Sequence, residues 1–184
     1  MCVLDSKPSI GIVSASDSQS RGISEIILKN GGKPLVIKSD KFSDDTIVHI
    51  GGLIIGELNK SGTRPYSKVK QLLANAININ MPVLCVSEGI HLLNIILGGK
   101  HPQQVSEHSI CGEYGERISS FHHIYISPGS KLAAIVGSGG FVRVNSRHLN
   151  ALSNAQKSPS LLASAYSLND GTIEALESPD HGWI

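Results

Sequence analysis

Short apolar runs alternate with amphipathic segments through the first half of the chain. Four runs have the length and the aliphatic character of buried strands: Ser9–Ser14, Lys33–Ile37, Gly52–Ile55 and Pro82–Val86. The segments between them carry helical apolar spacing or helix-opening residues, which predicts helices over Ser20–Asn30, Ser43–His49 and Tyr66–Asn80. This alternation predicts an α/β fold with a mostly parallel sheet that is covered on both faces.

The pattern changes after Gly99. Residues His101–Ser120 are polar and irregular, which predicts a loop. Beyond them the sequence predicts a short helix over Ser130–Ile135 and strands over Ser119–Ile126, Phe141–Asn145, Leu161–Ser167 and Thr172–Glu177. The last two strands flank N-D-G at positions 169–171, which is a strong signal for a tight turn between antiparallel strands.

The stretch Pro82–Gly99 combines a buried strand, a sharp turn and an amphipathic helix. Many α/β hydrolytic enzymes present their nucleophile on such a turn, above the N-terminus of the helix. We call the turn Ser87–Gly89 the elbow. Its apex residue is Ser87, and the carboxylate of Glu88 suits the positive end of the helix dipole.

Composition narrows the function classes. The chain has 184 residues, of which 40% are hydrophobic and 17% charged, so we expect one folded domain over residues 1–184. The net charge of +1 comes without a basic face, which argues against a nucleic-acid partner. No apolar run has the length of a membrane span and the N-terminus lacks a signal sequence, so we expect a cytoplasmic protein with no membrane contact.

The sequence predicts neither a metal nor a cofactor. Cys2, Cys85 and Cys111 have a spacing that fits neither a disulfide framework nor a zinc motif. His122 and His123 are adjacent on a predicted strand, so their side chains should point to opposite faces, and no carboxylate cluster accompanies them. The paired glycines of the chain do not form a dinucleotide-binding fingerprint.

Several motifs, taken in order, resemble the class I glutamine amidotransferase-like family, and most closely its γ-glutamyl hydrolase (peptidase C26-type) branch. The likeness spans nearly the whole chain. It is carried by Ile10–Val13, Asn30–Pro34, Gly51–Gly56, Pro82–Gly99, Ser127–Leu132, Val144–His148 and Asn169–Glu177.

This resemblance implies a three-layer, flavodoxin-like sandwich and a cysteine–histidine–glutamate triad. Such enzymes cleave the amide of glutamine or of a γ-glutamyl compound through a thioester. Two backbone N–H groups would hold the oxyanion. One belongs to the residue after the nucleophile, here Glu88, and the other lies in the glycine-rich turn after the third strand, here at Gly56.

The chain departs from the family pattern at three places. Ser87 occupies the position of the nucleophilic cysteine, and Glu57 replaces a small residue beside the oxyanion turn. The family's histidine and glutamate lie in a segment that would follow Ile184, so we expect a domain that is truncated at its C-terminal part. These departures favour the interpretation that the chain is a catalytically degenerate family member with little or no amidase activity.

Two alternatives stay open at the level of sequence. In the first, the chain is an active γ-glutamyl amide hydrolase with Ser87 as the nucleophile and His148 as the general base. In the second, it is a non-enzymatic interaction module whose uncovered sheet edge pairs with another chain, which would give a homo-oligomer. A small γ-glutamyl compound is the ligand that the resemblance implies.

Overall fold

The chain groups into two compact units in the computed structural model, which describes residues 7–38, 44–58, 64–106, 108–114 and 116–184. Unit 1 comprises the described residues up to Leu93 together with His181–Ile184. Unit 2 comprises Asn94–Asp180. The expectation of a single domain over residues 1–184 stays a prediction.

Unit 1 contains a four-stranded parallel sheet. Its strands are β1 (Ser9–Val13), β2 (Lys33–Val36), β3 (Gly52–Ile55) and β4 (Val83–Cys85), in the spatial order β2-β1-β3-β4. Each strand lies within an apolar run that the sequence predicts, so the predicted α/β class and parallel sheet are confirmed. The order 2-1-3-4 is that of flavodoxin-like doubly wound sheets, which bind ligands at the carboxyl ends of their strands.

The helices that begin in unit 1 are α1 (Asp17–Lys29), α2 (Arg64–Asn78) and α3 (Glu88–Ile96), with a 3₁₀ helix over Asp44–His49. Helix α1 begins three residues before its predicted start because Ser16 caps it, accepting a hydrogen bond from the Gln19 N–H at 3.3 Å. Ser43, the predicted opener of the Ser43–His49 helix, lies outside the described residues. No helix in the described ranges combines the length and the apolar character needed to cross a membrane.

The core of unit 1 is aliphatic, as the low aromatic content requires. Strand residues and helix residues that are almost completely buried form this core, namely Ile12, Val13, Leu53, Ile55, Val69, Leu72, Leu73 and Leu92. The carboxyl ends of three strands are adjacent, because Val13 pairs with Ile55 and Ile55 pairs with Cys85. The turns after β1, β3 and β4 therefore meet at one edge of the sheet.

Unit 2 is built on a four-stranded antiparallel sheet in the order β12-β11-β8-β9. Its elements are β5 (Gln103–Gln104), β6 (Ile110–Cys111), β7 (Arg117–Ile118), β8 (Ser120–Ile126), α4 (Lys131–Val136), β9 (Gly140–Ser146), β10 (Asn150–Ala151), β11 (Leu162–Ser167) and β12 (Ile173–Glu177). The four longer strands and α4 confirm the predicted elements. The prediction of a loop over His101–Ser120 is wrong in part, because β6 and β7 form a short antiparallel pair there and β5 pairs with β10.

Strand β8 alternates between a buried and an exposed face. Ile124 and Ile126 pack with Ala133 of α4 and Ala165 of β11 in the core of unit 2. His122 shares their face because side chains two residues apart on a strand point the same way, and it is 5% exposed. The sheet therefore carries an imidazole on its buried face.

Candidate functional site

The elbow has the geometry that the sequence predicts. Ser87 lies between β4 and α3 with a φ angle of +55°, in the left-handed region that residues other than glycine rarely adopt. Such backbone strain typically costs about 1–3 kcal/mol and is kept where surrounding structure enforces it, often at functional sites. The Ser87 side chain is exposed, so the turn presents it to solvent.

Close packing of α3 against β3 enforces the elbow. The Val86 N–H donates to the Ile55 carbonyl oxygen at 2.8 Å, and the next turn brings Gly89 against the same carbonyl group. A Cβ atom on Gly89 would lie 2.4 Å from the Ile55 oxygen, a distance that real Cβ atoms do not adopt. Glycine at this position is therefore a steric requirement of the elbow.

The hydroxyl of Ser87 is hydrogen-bonded to the side chain of the next residue, Glu88. Ser87 Oγ donates a hydrogen bond to Glu88 Oε2 at 2.8 Å, and both side chains are exposed. A carboxylate is a weaker base than an imidazole and is less suited to removing a hydroxyl proton. The carboxylate also places negative charge beside the position where an oxyanion would form. The backbone N–H of Glu88 stays a predicted oxyanion donor.

In the glycine-rich turn after β3, the N–H groups of Gly56 and Glu57 both donate hydrogen bonds within the protein. The Gly56 N–H donates to the Val13 carbonyl at 2.8 Å, and the Glu57 N–H donates to Gln19 Oε1 at 2.7 Å. Ser14 Oγ donates to the same Gln19 oxygen at 2.8 Å, which fixes the Gln19 amide beside the turn. A donor for an oxyanion at this turn would first have to leave its present partner. The role predicted for Gly56 stays a prediction.

Cys85 lies on β4, two residues before Ser87. Burial raises the pKa of its thiol to about 12, so the group is a thiol and not a thiolate at neutral pH. Because the thiolate is the reactive form, Cys85 is poorly suited to act as a nucleophile.

We expect Cys85 to resist alkylation in the native protein. Because its pKa is raised to about 12, the half-buried Cys85 is almost entirely in the thiol form at pH 8, so reaction with iodoacetamide should be slow until the protein unfolds. Cys111 is exposed and is the internal control. Peptide mass spectrometry at successive times measures both sites, and equally fast labelling of both cysteines in the folded chain would contradict the buried-thiol assignment.

A second group of polar side chains lies within unit 2. It consists of His108, His122, His148, Asp170 and Glu174, and we call it the histidine–carboxylate cluster. Glu174 Oε1 lies 3.2 Å from both His108 Nδ1 and His122 Nε2. The ring centroids of His108 and His122 are 4.7 Å apart, and those of His108 and His148 are 4.6 Å apart.

Polar atoms at the centre of this cluster lack hydrogen-bond partners. Among the described residues, His108 Nδ1, both ring nitrogens of His122, and Glu174 Oε1 are buried and unpaired, since the 3.2 Å contacts lack hydrogen-bond geometry. An unpaired buried polar group costs about 1–3 kcal/mol. The arrangement is therefore costly for a purely structural feature.

Asp170 binds the outer side of His108, with 3.0 Å between Asp170 Oδ2 and His108 Nε2. Burial opposes ionisation of Asp170, but hydrogen bonds from Thr172, Ser167 and His108 outweigh it and hold the pKa of this carboxyl well below its usual range. The Thr172 N–H contributes one of these bonds, at 3.1 Å. Asp170 is thus a carboxylate at neutral pH and fixes the orientation of the His108 ring.

His148, the base proposed from sequence, lies at the rim of the cluster. Its Nδ1 is 3.2 Å from the Asn150 carbonyl oxygen and its Nε2 is 3.9 Å from Glu174 Oε2. Burial lowers the pKa of His148, Glu174 opposes that change, and the neighbouring His108 and His122 reinforce it. The imidazole is therefore neutral near pH 7. His148 belongs to unit 2 and Ser87 to unit 1, so its role as a base for Ser87 stays a prediction.

Sequence reasoning missed the histidine–carboxylate cluster. The opposite orientation expected of His122 and His123 is confirmed, since His122 is buried and His123 exposed. The premise that no carboxylate accompanies His122 is wrong, because Glu174 comes within 3.2 Å of it. The N-D-G turn signal was the one available clue, as that turn carries Asp170 and precedes Glu174 on β12.

Comparison with known proteins agrees with the fold and identifies a class I glutamine amidotransferase-like protein. The model of the peptidase C26 family matches residues 63–184. The chain therefore belongs to the peptidase C26 family, and the family resemblance seen in the sequence is confirmed.

Two curated relatives share about a third of their aligned residues with the chain. Protein NtpR of Enterococcus hirae is 33% identical over 114 residues, which are 59% of this chain and 46% of NtpR. A Mycobacterium tuberculosis protein, named as a candidate glutamine amidotransferase, is 33% identical over 117 residues, which are 61% of this chain and 36% of that protein. The chain thus spans less than half the length of either relative.

Solved structures support the fold. A glutamine amidotransferase from Thermotoga maritima superposes with a TM-score of 0.72 and 9% identity, over 94% of this chain and 72% of that one. One from Methylobacillus flagellatus superposes with a TM-score of 0.70 and 15% identity, over 95% of this chain and 66% of that one. At these identities the likeness concerns the fold alone, and it confirms the predicted flavodoxin-like class.

Proposed function

We propose that this chain is a glutamine amidotransferase-like protein with little or no amidase activity. The observation that carries the proposal is Ser87 at the apex of the elbow, with its hydroxyl donating to the Glu88 carboxylate at 2.8 Å. Amide cleavage by a covalent route needs a nucleophile that an adjacent base or a lowered pKa activates. The base bonded to the Ser87 hydroxyl is an exposed carboxylate, which is a weaker base than the imidazole that activates such nucleophiles.

The turn after β3 supports the same proposal. A tetrahedral intermediate needs N–H groups that point at the oxyanion before the reaction begins. At this turn the N–H groups of Gly56 and Glu57 already donate to Val13 and Gln19. Losing one oxyanion donor typically costs about 10²–10³ in kcat, so this loss would add to the loss of the thiol.

An ammonia-release assay tests the proposal. We expect the wild-type chain and Ser87→Ala to release ammonia from glutamine and from γ-glutamyl amides at the same background rate. Turnover by the wild type that Ser87→Ala abolishes would overturn the proposal and would favour a serine-dependent γ-glutamyl amide hydrolase.

A second arm separates the nucleophile from the oxyanion turn. Ser87→Cys supplies the thiol of the family, and Gln19→Ala removes the side chain that occupies the Glu57 N–H. We expect neither change alone to give turnover. We also expect an acivicin-type reagent to label the new thiol faster in the double variant than in Ser87→Cys alone. Full turnover by Ser87→Cys alone would show that the turn after β3 already serves as an oxyanion site.

The ligand that we propose for the elbow is a small γ-glutamyl compound. The carboxyl ends of parallel strands are the usual binding edge of this fold, and three such ends meet at the elbow. Thermal unfolding in the presence of glutamine or a γ-glutamyl amide should show a concentration-dependent rise in the midpoint. The same midpoint at every concentration, up to solubility, would count against retained ligand binding.

A further inference from the structure

The buried centre of the histidine–carboxylate cluster has the composition of a metal site. His108 is 1% exposed and His122 is 5% exposed. One ligand atom from each of His108, His122 and Glu174 lies within 4.8 Å of the other two. Two imidazole nitrogens with one carboxylate oxygen form a donor set typical of zinc and related divalent transition metals.

We propose that His108, His122 and Glu174 bind a divalent transition-metal ion of the zinc class. Metal–ligand bonds of about 2.0–2.1 Å in a tetrahedral site place neighbouring ligand atoms about 3.3 Å apart. Glu174 Oε1 lies 3.2 Å from His108 Nδ1 and 3.2 Å from His122 Nε2, so two of the three spacings already have this length.

The unpaired atoms at the centre favour a metal over a hydrogen-bonded network. Within the described ranges, His108 Nδ1, His122 Nε2 and Glu174 Oε1 are all buried without a hydrogen-bond partner. In a network, a proton would lie on the line between donor and acceptor, and the geometry of these contacts does not provide that alignment. A cation instead accepts a lone pair from each of the three atoms at once, which removes the penalty of leaving them unpaired.

Asp170 supplies the outer contact that metal-binding histidines usually have. A carboxylate only accepts hydrogen bonds, so the 3.0 Å contact places a proton on His108 Nε2 and, in the neutral ring, leaves Nδ1 with its lone pair toward Glu174. Histidine ligands in metal sites are commonly oriented in this way by a carboxylate. Asp170 is therefore a positioning residue for the proposed ligand His108.

His148 lies beside the proposed ligands. Its Nε2 lies 3.9 Å from Glu174 Oε2, and its side chain is 36% exposed. Three protein ligands leave the fourth position of a tetrahedral ion to a water molecule or a substrate, as is typical of many zinc sites. The site uses no residue of the elbow, so the inference is independent of the proposed function.

Cobalt and zinc titrations of the full chain test the proposal. After treatment with a chelator, the wild type should bind one equivalent of Co²⁺, with the visible absorption of a four-coordinate ion, and Zn²⁺ should displace it. Glu174→Gln should weaken binding by more than about 100-fold, and Asp170→Asn by about 10–100-fold through the loss of the outer contact. His123→Ala is the matched control, since His123 is exposed on the opposite face of β8, and it should change nothing.

A crystal of the unaltered chain grown with Zn²⁺ keeps the test independent of whether the variants fold. We expect an anomalous peak at the zinc edge between His108, His122 and Glu174. A peak only at surface histidines, the absence of stoichiometric binding, or binding that Glu174→Gln leaves unchanged would each overturn the proposal.

Discussion

Replacing Asn94 by alanine should destabilise unit 2 by about 3–5 kcal/mol. The Asn94 side chain is fully buried and holds three backbone groups. Its Nδ2 donates to the carbonyl oxygens of Lys100 and Gln156 at 2.9 and 3.0 Å, and its Oδ1 accepts from the Ser158 N–H at 2.7 Å. Alanine would remove the partners of the buried Ser158 N–H and of the Lys100 carbonyl, whereas the Gln156 carbonyl would keep the Lys100 N–H at 2.8 Å. The cost of these lost bonds exceeds the gain from a better helix former.

Asn78→Ala is the matched control for Asn94→Ala. Asn78 is the last residue of α2 and is exposed, so its substitution should change the free energy of unfolding by no more than about 0.5 kcal/mol. Native-state hydrogen exchange of amides in Asn94–Asp180 measures the effect on unit 2 directly. Similar protection of these amides in the two variants would show that the Asn94 contacts contribute little.

Gly89→Ala should cost about 2 kcal/mol and should disturb the elbow. The added Cβ would lie 2.4 Å from the Ile55 carbonyl oxygen, which is backbone and cannot rotate away. Overpacking of this kind costs about 1–3 kcal/mol, and the better helix propensity of alanine offsets about 1 kcal/mol of that cost at most. Urea unfolding measures the loss, and a shift of the Ser87 amide resonance reports the change in the turn.

Gly22→Ala is the control with the opposite expected sign. Gly22 lies in α1, and a Cβ atom there would meet nothing within 4 Å. Alanine should therefore stabilise the protein by about 0.5–1 kcal/mol through its helix propensity alone. If the two glycine substitutions had the same effect on stability, the close approach of α3 to Ile55 would not be the reason for glycine at position 89.

The sequence predicts the architecture well because its signals are local. The four apolar runs of the first half become β1–β4, and N-D-G at 169–171 joins β11 and β12 as a tight turn should. The apex at Ser87 is also visible locally, since a strand, a short turn and a helix follow one another directly. The start of α1 is predicted less well. The residues directly after Ser16 are polar and are typical of a loop, and the sequence pattern alone does not show that Ser16 caps the helix.

The candidate sites depend on contacts that local patterns do not encode. The hydrogen bond from the Glu57 N–H to the Gln19 side chain joins the end of β3 to the first turn of α1. His108, His122 and Glu174 come together only through the folding of unit 2, and β11 separates the strands that carry His122 and Glu174. A strand pattern gives the face of His122 but not the residues across from it, so the carboxylate was missed.

The elbow has the backbone of a nucleophile turn, and we propose that it lacks an activated nucleophile. The positive φ of Ser87 and the close packing of Gly89 are features of the backbone, and both are present. The proposed loss of activity concerns instead the side chain at the apex and the N–H groups of the turn after β3, which donate to Val13 and Gln19.

Reaction with a fluorophosphonate probe shows whether Ser87 is an activated nucleophile. The wild type and Ser87→Ala are incubated with the probe beside an active serine hydrolase as a positive control, and the Ser87 peptide is examined by mass spectrometry. We expect no adduct on Ser87 and the same intact mass change, if any, in both proteins. An adduct on Ser87 in the wild type that is absent from Ser87→Ala would contradict this expectation.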